Sequence, residues 1–167
     1  WQFGDGVTSV LPSPTHIYPV AGNYTVTLTV VDTAGCTNQI SKPITIVPEP
    51  TANFSSTTPA CKDSQVQFNN LSSTGTGYIV KSEWNFGDGS PTLTVTTLAP
   101  VFHTFTSYAT FSVSLTVTTN DSCKRTIVIP ITILPNPLAN FSYATSCAGS
   151  PVVFSDLSQA GSGGLAG

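Results

Sequence analysis

The sequence predicts an all-β sandwich assembled from a repeated unit. Long stretches alternate strictly between polar and apolar residues. Gly, Pro and Asn clusters interrupt them at strand-length intervals, and no stretch carries the 3.6-residue apolar spacing of an amphipathic helix. Alternation of this kind puts every second side chain on one face, which is how a strand with one buried face reads.

In chain order, "YTVTLTV" at 24–30 places Tyr24, Val26, Leu28 and Val30 on one face and Thr25, Thr27 and Thr29 on the other. "ITIV" at 44–47 and "VQF" at 66–68 are shorter versions of the pattern. "FSVSLTV" at 111–117 repeats it with Phe111, Val113, Leu115 and Val117. "ITIL" at 131–134 and "VVF" at 152–154 complete the set.

Composition excludes several functions. The chain has 167 residues, of which 40% are hydrophobic, enough for a packed core. Charged residues make up 8%, against about 25% in ordinary domains. Net charge is −3 and the five basic residues are scattered. That leaves no basic patch for nucleic acid and no polybasic face for a membrane. No apolar run approaches the ~18–20 residues of a membrane-spanning helix. No signal peptide is visible and residue 1 is Trp, so a processed piece or a fragment of a longer protein is expected.

Internal repetition organises the chain. "WQFGDG" at 1–6 matches "WNFGDG" at 84–89, and "HIY" at 16–18 matches "HTF" at 103–105. "ITIVPEPTANFS" (44–55) matches "ITILPNPLANFS" (131–142), and "VQFNNLS" (66–72) matches "VVFSDLS" (152–158). The expected organisation is a complete repeat at 50–136, the C-terminal half of a repeat at 1–49, and the N-terminal half of the next at 137–167. The two halves would complete each other in a periodic array, with Gly167 leading into a Trp1 equivalent. Pro-flanked linkers, "VPEPTA" and "LPNPLA", mark the boundaries and would stiffen the junctions.

Trp-x-Phe-Gly-Asp-Gly, then His-x-Tyr, then Gly-x-Tyr-x-Val-x-Leu-x-Val resembles the polycystic kidney disease (PKD) domain along the whole chain. Phe105 and Ala109 depart from the pattern conservatively. The resemblance implies immunoglobulin-like sandwiches of about seven strands in a linear array. Tandem domains with paired Cys, Thr-rich strands and such linkers further resemble secreted surface adhesins of Bacteroidetes, of the SprB-like gliding-motility kind.

The motif residues read as scaffold. Trp84 and Phe86, and their counterparts Trp1 and Phe3, alternate inward on one strand. Asp5 and Asp88 sit between glycines where a tight turn with positive φ is expected, and Asp can cap its own backbone there. As metal ligands they lack a second carboxylate at ligand spacing. His16 and His103 lack an obvious Ser or Cys partner for base catalysis and are expected to bond the turn. Tyr18 and Phe105 are expected to pack as corner aromatics. No nucleophile–base or carboxylate pair marks an enzyme, and no cofactor is expected. Tyr78, Tyr108 and Tyr143 are the aromatics left over for glycan contact.

Four cysteines, two per repeat, fit an oxidising compartment. One option bridges Cys61 to Cys123 within a repeat. The other staples junctions, Cys36 to Cys61 and Cys123 to Cys147 of the preceding copy. Thr33, in Asp32-Thr33-Ala34, is a candidate O-glycosylation site at a hairpin tip. Asn23, Asn53, Asn70, Asn120 and Asn140 begin Asn-x-Ser/Thr triplets, which Thr- and Ser-rich chains also produce by chance. The expected function is a structural or adhesive segment of an extracellular tandem-repeat filament on a bacterial surface. Its partners would be neighbouring repeats and a polysaccharide or other substratum, with no nucleic acid and no membrane insertion. The alternative is a spacer or glycan-binding module of a secreted hydrolase.

Overall fold

A computed structural model describes residues 1–164, and the end of the 137–167 half-repeat, with its expected run into a Trp1 equivalent, lies outside the described residues. The described chain is all β, with twelve strands. Thr, Val, Ile and Phe alternate through the long ones, and these residue types suit a pleated surface with one buried face.

Residues 52–134 form a two-sheet sandwich. One sheet has the order β4(Ala60–Cys61), β10(Lys124–Leu134), β9(Thr110–Thr119), β6(Ile79–Asn85), β7(Leu93–Val95). The other has the order β3(Phe54–Ser56), β5(Gln65–Asn70), β8(Val101–Thr104). All pairings are antiparallel except β4 with the end of β10. The inward faces meet in one core. Trp84, Val113, Leu115 and Val117 from the larger sheet and Val66 and Phe68 from the smaller are completely buried. Removing this apolar area from water is the main stabilising contribution, at roughly 25 cal/mol per Å2. The unit thus has eight strands rather than about seven, because β4 adds a two-residue strand at the sheet edge.

On either side lie smaller sheets. Before it, β1(Gly22–Val31) and β2(Thr37–Ile46) form a hairpin of two ten-residue strands, with Gln2 bridged to Thr27. After it, β11(Phe141–Tyr143) pairs with β12(Phe154–Asp156), and Leu138 is bridged to Gln159.

The linkers sit against glycines. A Cβ at Gly75 would lie 2.5 Å from Pro48 Cγ, and one at Gly161 would meet the Pro135 carbonyl and Asn136. Glu49 pairs with Arg125 at 3.2 Å, an exposed contact that adds little by itself.

Candidate functional site

The chemistry-bearing residues gather at the Gly-Asp-Gly turns. β6 delivers Trp84 into the core, and Phe86 just past its end follows, with Asn85 exposed between them as alternation requires. The strand then stops, because Gly87 and Gly89 take φ of +74° and +87°, a region open to glycine without steric cost. Gly87 is also pressed against β9, where a Cβ would lie 2.7 Å from the Ser112 carbonyl oxygen. Asn85 Oδ1 accepts from the Gly87 N–H at 2.9 Å and closes the entry to the turn.

Asp88 organises the rest. Its Oδ1 accepts from the Ser90 N–H at 3.1 Å and the Ser90 hydroxyl at 2.6 Å. Its Oδ2 lies 2.7 Å from His103 Nε2 on β8. Burial pushes the Asp88 carboxyl up, but the bonds from Ser90 and His103 outweigh it and hold the pKa at about 2. The group is therefore a carboxylate near neutral pH, and His103 Nε2 must carry the proton of that bond. The imidazole lies flat on Phe86, with centroids 3.9 Å apart and planes 3° apart, and meets Phe105 edge-on at 4.7 Å. The Asp88–His103 bond and the stack on Phe86 hold β8 against the turn.

The first repeat rebuilds the same cluster. His16 Nε2 lies 2.6 Å from Asp5 Oδ2, and the Val7 N–H donates to Asp5 Oδ1 at 3.0 Å. These bonds, the one from His16 foremost, hold the Asp5 carboxyl below the ordinary value. His16 stacks on Phe3 at 4.2 Å. Gly4, at φ +86°, would put a Cβ 2.6 Å from the Thr25 carbonyl oxygen, just as Gly87 meets Ser112. Tyr18 adds a bond that Phe105 cannot make, since its hydroxyl donates to the Phe3 carbonyl at 2.9 Å. Trp1 is half-buried where Trp84 is completely buried, and its indole N–H donates to the Leu11 carbonyl at 3.1 Å.

The structure joins Asp5 with His16 and Asp88 with His103; the sequence reading had each histidine bonding the turn but did not name its Asp partner. It missed Ser90 and the Tyr18 hydroxyl altogether. The recurrence of the Asp and His in the same order in both repeats, 11 and 15 residues apart, was the available signal for the pairs.

The cysteines are apart. Cys36, Cys61 and Cys147 are exposed, Cys123 is half-buried, and all four are free thiols. Cys61 lies on β4, in register with Leu134 at one end of β10. Cys123 immediately precedes Lys124 at the other end. An eleven-residue strand spans roughly 35 Å, while a disulfide needs Cα atoms within about 7 Å. This geometry opposes the Cys61–Cys123 bridge.

Thr33 sits exposed in the tip between β1 and β2. Asp32 beside it has its own structural task, accepting from the Ala34 and Cys36 N–H groups at 2.9 and 2.8 Å. Tyr78, Tyr108 and Tyr143 are exposed but belong to different parts of the fold, and Tyr143 lies within β11. Among the described residues, no group of three or more His, Cys, Asp or Glu could hold a metal ion.

A family model described as PKD domain matches residues 1–47 and again 47–133. Over 50 residues the chain is 44% identical to Collagenase ColA of Bacillus cereus, which is 30% of this chain and 5% of that protein. Over 94 residues it is 33% identical to Pre-pro-metalloprotease PrtV of Vibrio cholerae, which is 53% of this chain and 10% of that protein. The chain therefore spans only a small part of either relative. Among solved structures, the crystal structure of the PKD1 domain from Vibrio cholerae metalloprotease PrtV is 29% identical, with a TM-score of 0.45, covering 52% of this chain and 98% of that one.

Proposed function

The chain belongs to the PKD domain family, and on that premise we propose that it is a non-catalytic spacer segment of a secreted, extracellular hydrolase. The observation that carries the reading is the local identity to short segments of two proteases, a collagenase and a metalloprotease. The geometry supports it, since both Asp–His pairs are spent on holding turns and stack against core aromatics. In this reading 50–136 is a whole module, and 1–49 and 137–167 are halves of modules of the same design. The motif residues from Trp1 to Tyr18 and from Trp84 to Phe105 are scaffold, and the Pro linkers set module spacing.

A second reading has one specific observation in its favour. The near-identity of "ITIVPEPTANFS" and "ITILPNPLANFS" within one chain fits a long array of uniform modules, an adhesive surface filament whose partners are its own repeats and a polysaccharide substratum. Junction bridges, Cys36 to Cys61 and Cys123 to Cys147 of neighbouring copies, and glycosylation at Thr33 belong to that reading.

The complete reading frame that encodes the chain separates the two. A hydrolase catalytic domain in the same polypeptide supports the spacer, and an extended run of PKD modules without one replaces it with the filament. In parallel, the chain incubated with collagen and casein should release no peptides. Cleavage that Asp88→Asn or His103→Asn abolishes would overturn the non-catalytic assignment.

A further inference from the structure

We propose that the outer face of the smaller sheet of the central sandwich is a binding site for a neutral, equatorially linked polysaccharide. The site adds a binding activity to either reading above and depends on neither.

Alternation builds the face. Val66, Phe68 and Val101 turn inward and are at most 7% exposed, so the residues between them point to water. These are Gln65, Gln67 and Asn69 on β5, Phe102 and Thr104 on β8, and Ser55 on β3. Strand register sets them in rows. Gln67 stands opposite Phe102, Gln65 opposite Thr104, and Asn69 opposite Ser55. Side chains directly opposite each other have Cβ atoms about 5 Å apart. The six therefore form one continuous patch of amides and hydroxyls beside a single aromatic ring.

The polar groups are arranged before any ligand arrives. The Gln67 side-chain N–H donates to Asn69 Oδ1 at 2.7 Å, and the Asn69 side-chain N–H reaches the Ser55 hydroxyl at 3.4 Å. These bonds orient both amides. Among the described residues they leave Gln67 Oε1 and one N–H of each amide without a protein partner. Groups already held in place lose less freedom on binding.

The fold does not require these residues. The Trp, Phe, Asp and His of the turn recur between repeats. Phe102, however, stands where the first repeat has Thr15, and Gln67 and Asn69 stand where "VVFSDLS" has Val153 and Ser155. Strand preference does not explain Asn69, since Asn is depleted in strands. Burial does not explain Phe102, which is 51% exposed. Positions that break local preference without a packing gain are where function is expected.

The chemistry of the face selects the ligand. None of the six side chains carries a charge, so a nucleic acid or other acidic polymer finds nothing there to pair with. One ring is too little for the desolvated centre of a protein interface, where several aromatic and Arg anchors gather. It matches one sugar. A pyranose with equatorial hydroxyls has a flat face of C–H groups, which packs on the negative face of an aromatic ring. Its hydroxyls then lie around the rim, where a side-chain amide offers a donor and an acceptor side by side. An equatorially linked chain stays flat from unit to unit, so a sugar stacked on Phe102 places its neighbours over Gln67 and Asn69.

Affinity electrophoresis of the full chain tests this, in native gels containing hydroxyethylcellulose or glycol chitin, with alginate as the acidic control. At least one neutral polymer should retard the chain and alginate should not. Hydroxyethylcellulose alone points to a plain glucan, and glycol chitin alone to an N-acetylated one. Phe102→Ala should weaken the apparent affinity at least about tenfold, the loss of one stacked ring. Gln67→Ala should weaken it several-fold, and Phe102→Trp should retain it. Tyr78→Ala removes an exposed ring in another part of the fold and should change nothing. Thermal melting checks that each variant is folded, and if Phe102→Ala melts early, Gln67→Ala and Phe102→Trp decide. No retardation in either neutral polymer overturns the proposal, as does retardation that folded Phe102→Ala and Gln67→Ala leave intact. Retardation by alginate alone assigns an acidic ligand and overturns it too. The assay reads binding alone, so its failure leaves the spacer reading untouched.

Discussion

Asp88 is the residue on which the turn depends, because one carboxylate accepts from Ser90 twice and from His103 once. Its folded pKa of about 2 lies below the ordinary 3.8. The unfolded chain therefore takes up its proton first on acidification. Ionised Asp88 contributes fully above about pH 4 and loses its contribution as the pH falls toward about 2. Urea denaturation across that range should show Asp88→Asn flattening the acid-side decline in stability. An unchanged slope would mean that the bonds do not favour the charged form. At neutral pH, Asp88→Ala should cost about 1–2 kcal/mol, since it strands the donors of Ser90 and His103. The two repeats also suggest a transplant. Tyr18 bonds the Phe3 carbonyl, and Phe105 stands at the same place without a hydroxyl. Phe105→Tyr should gain about 1 kcal/mol if the new hydroxyl reaches the Phe86 carbonyl. A lowered melting temperature would show that the tighter core around Phe105, 1% exposed, has no room for it.

The Gly-Asp-Gly turn separates two effects that usually travel together. Gly87 has positive φ and a backbone oxygen 2.7 Å from any added Cβ, whereas Gly89 has positive φ and open space. Gly89→Ala should cost only the left-handed strain, about 1–2 kcal/mol. Gly87→Ala should cost that and the displacement of β6 from β9, several-fold more in the shift of the urea midpoint. Equal shifts would show that the close approach relaxes freely.

The contrast also shows what could be read beforehand. Alternation in "FSVSLTV" fixed which faces of β9 are buried, and Gly-Asp-Gly announced the turn, because both are local. The parallel pairing of β4 with β10 could not be read, since two residues carry no period. Nor could the bond from Asp88 to His103, because only the packing of β8 beside the turn brings them together. The half-buried face at Trp1, Val26 and Leu28 was hidden for the opposite reason. Its residues have the core pattern of Trp84, Val113 and Leu115, and pattern alone does not say whether a face is covered.

That difference in cover divides the molecule more sharply than its sequence does. Val26 and Leu28 are half-buried where Val113 and Leu115, their equivalents, are completely buried. The β1–β2 and β11–β12 pairs have two strands each, and such pairs are marginal in water without a covered face. The central module has two sheets and one continuous core, so its opening free energy should approach the global value. Amide hydrogen exchange on dilute chain should therefore resolve two classes. The amides of β9 and β10 should exchange slowly and nearly together, and those of β1, β2, β11 and β12 should exchange orders of magnitude faster. Limited proteolysis should first cut the turns at 9–21 and 144–151 and leave a resistant core spanning 52–134. If β1 and β2 proved as protected as β9 in dilute monomer, uncovered apolar area would not be what limits their stability. The half-buried faces would then be held by strand pairing and cross-strand contacts alone, such as the 2.7 Å hydroxyl bond between Thr27 and Ser41.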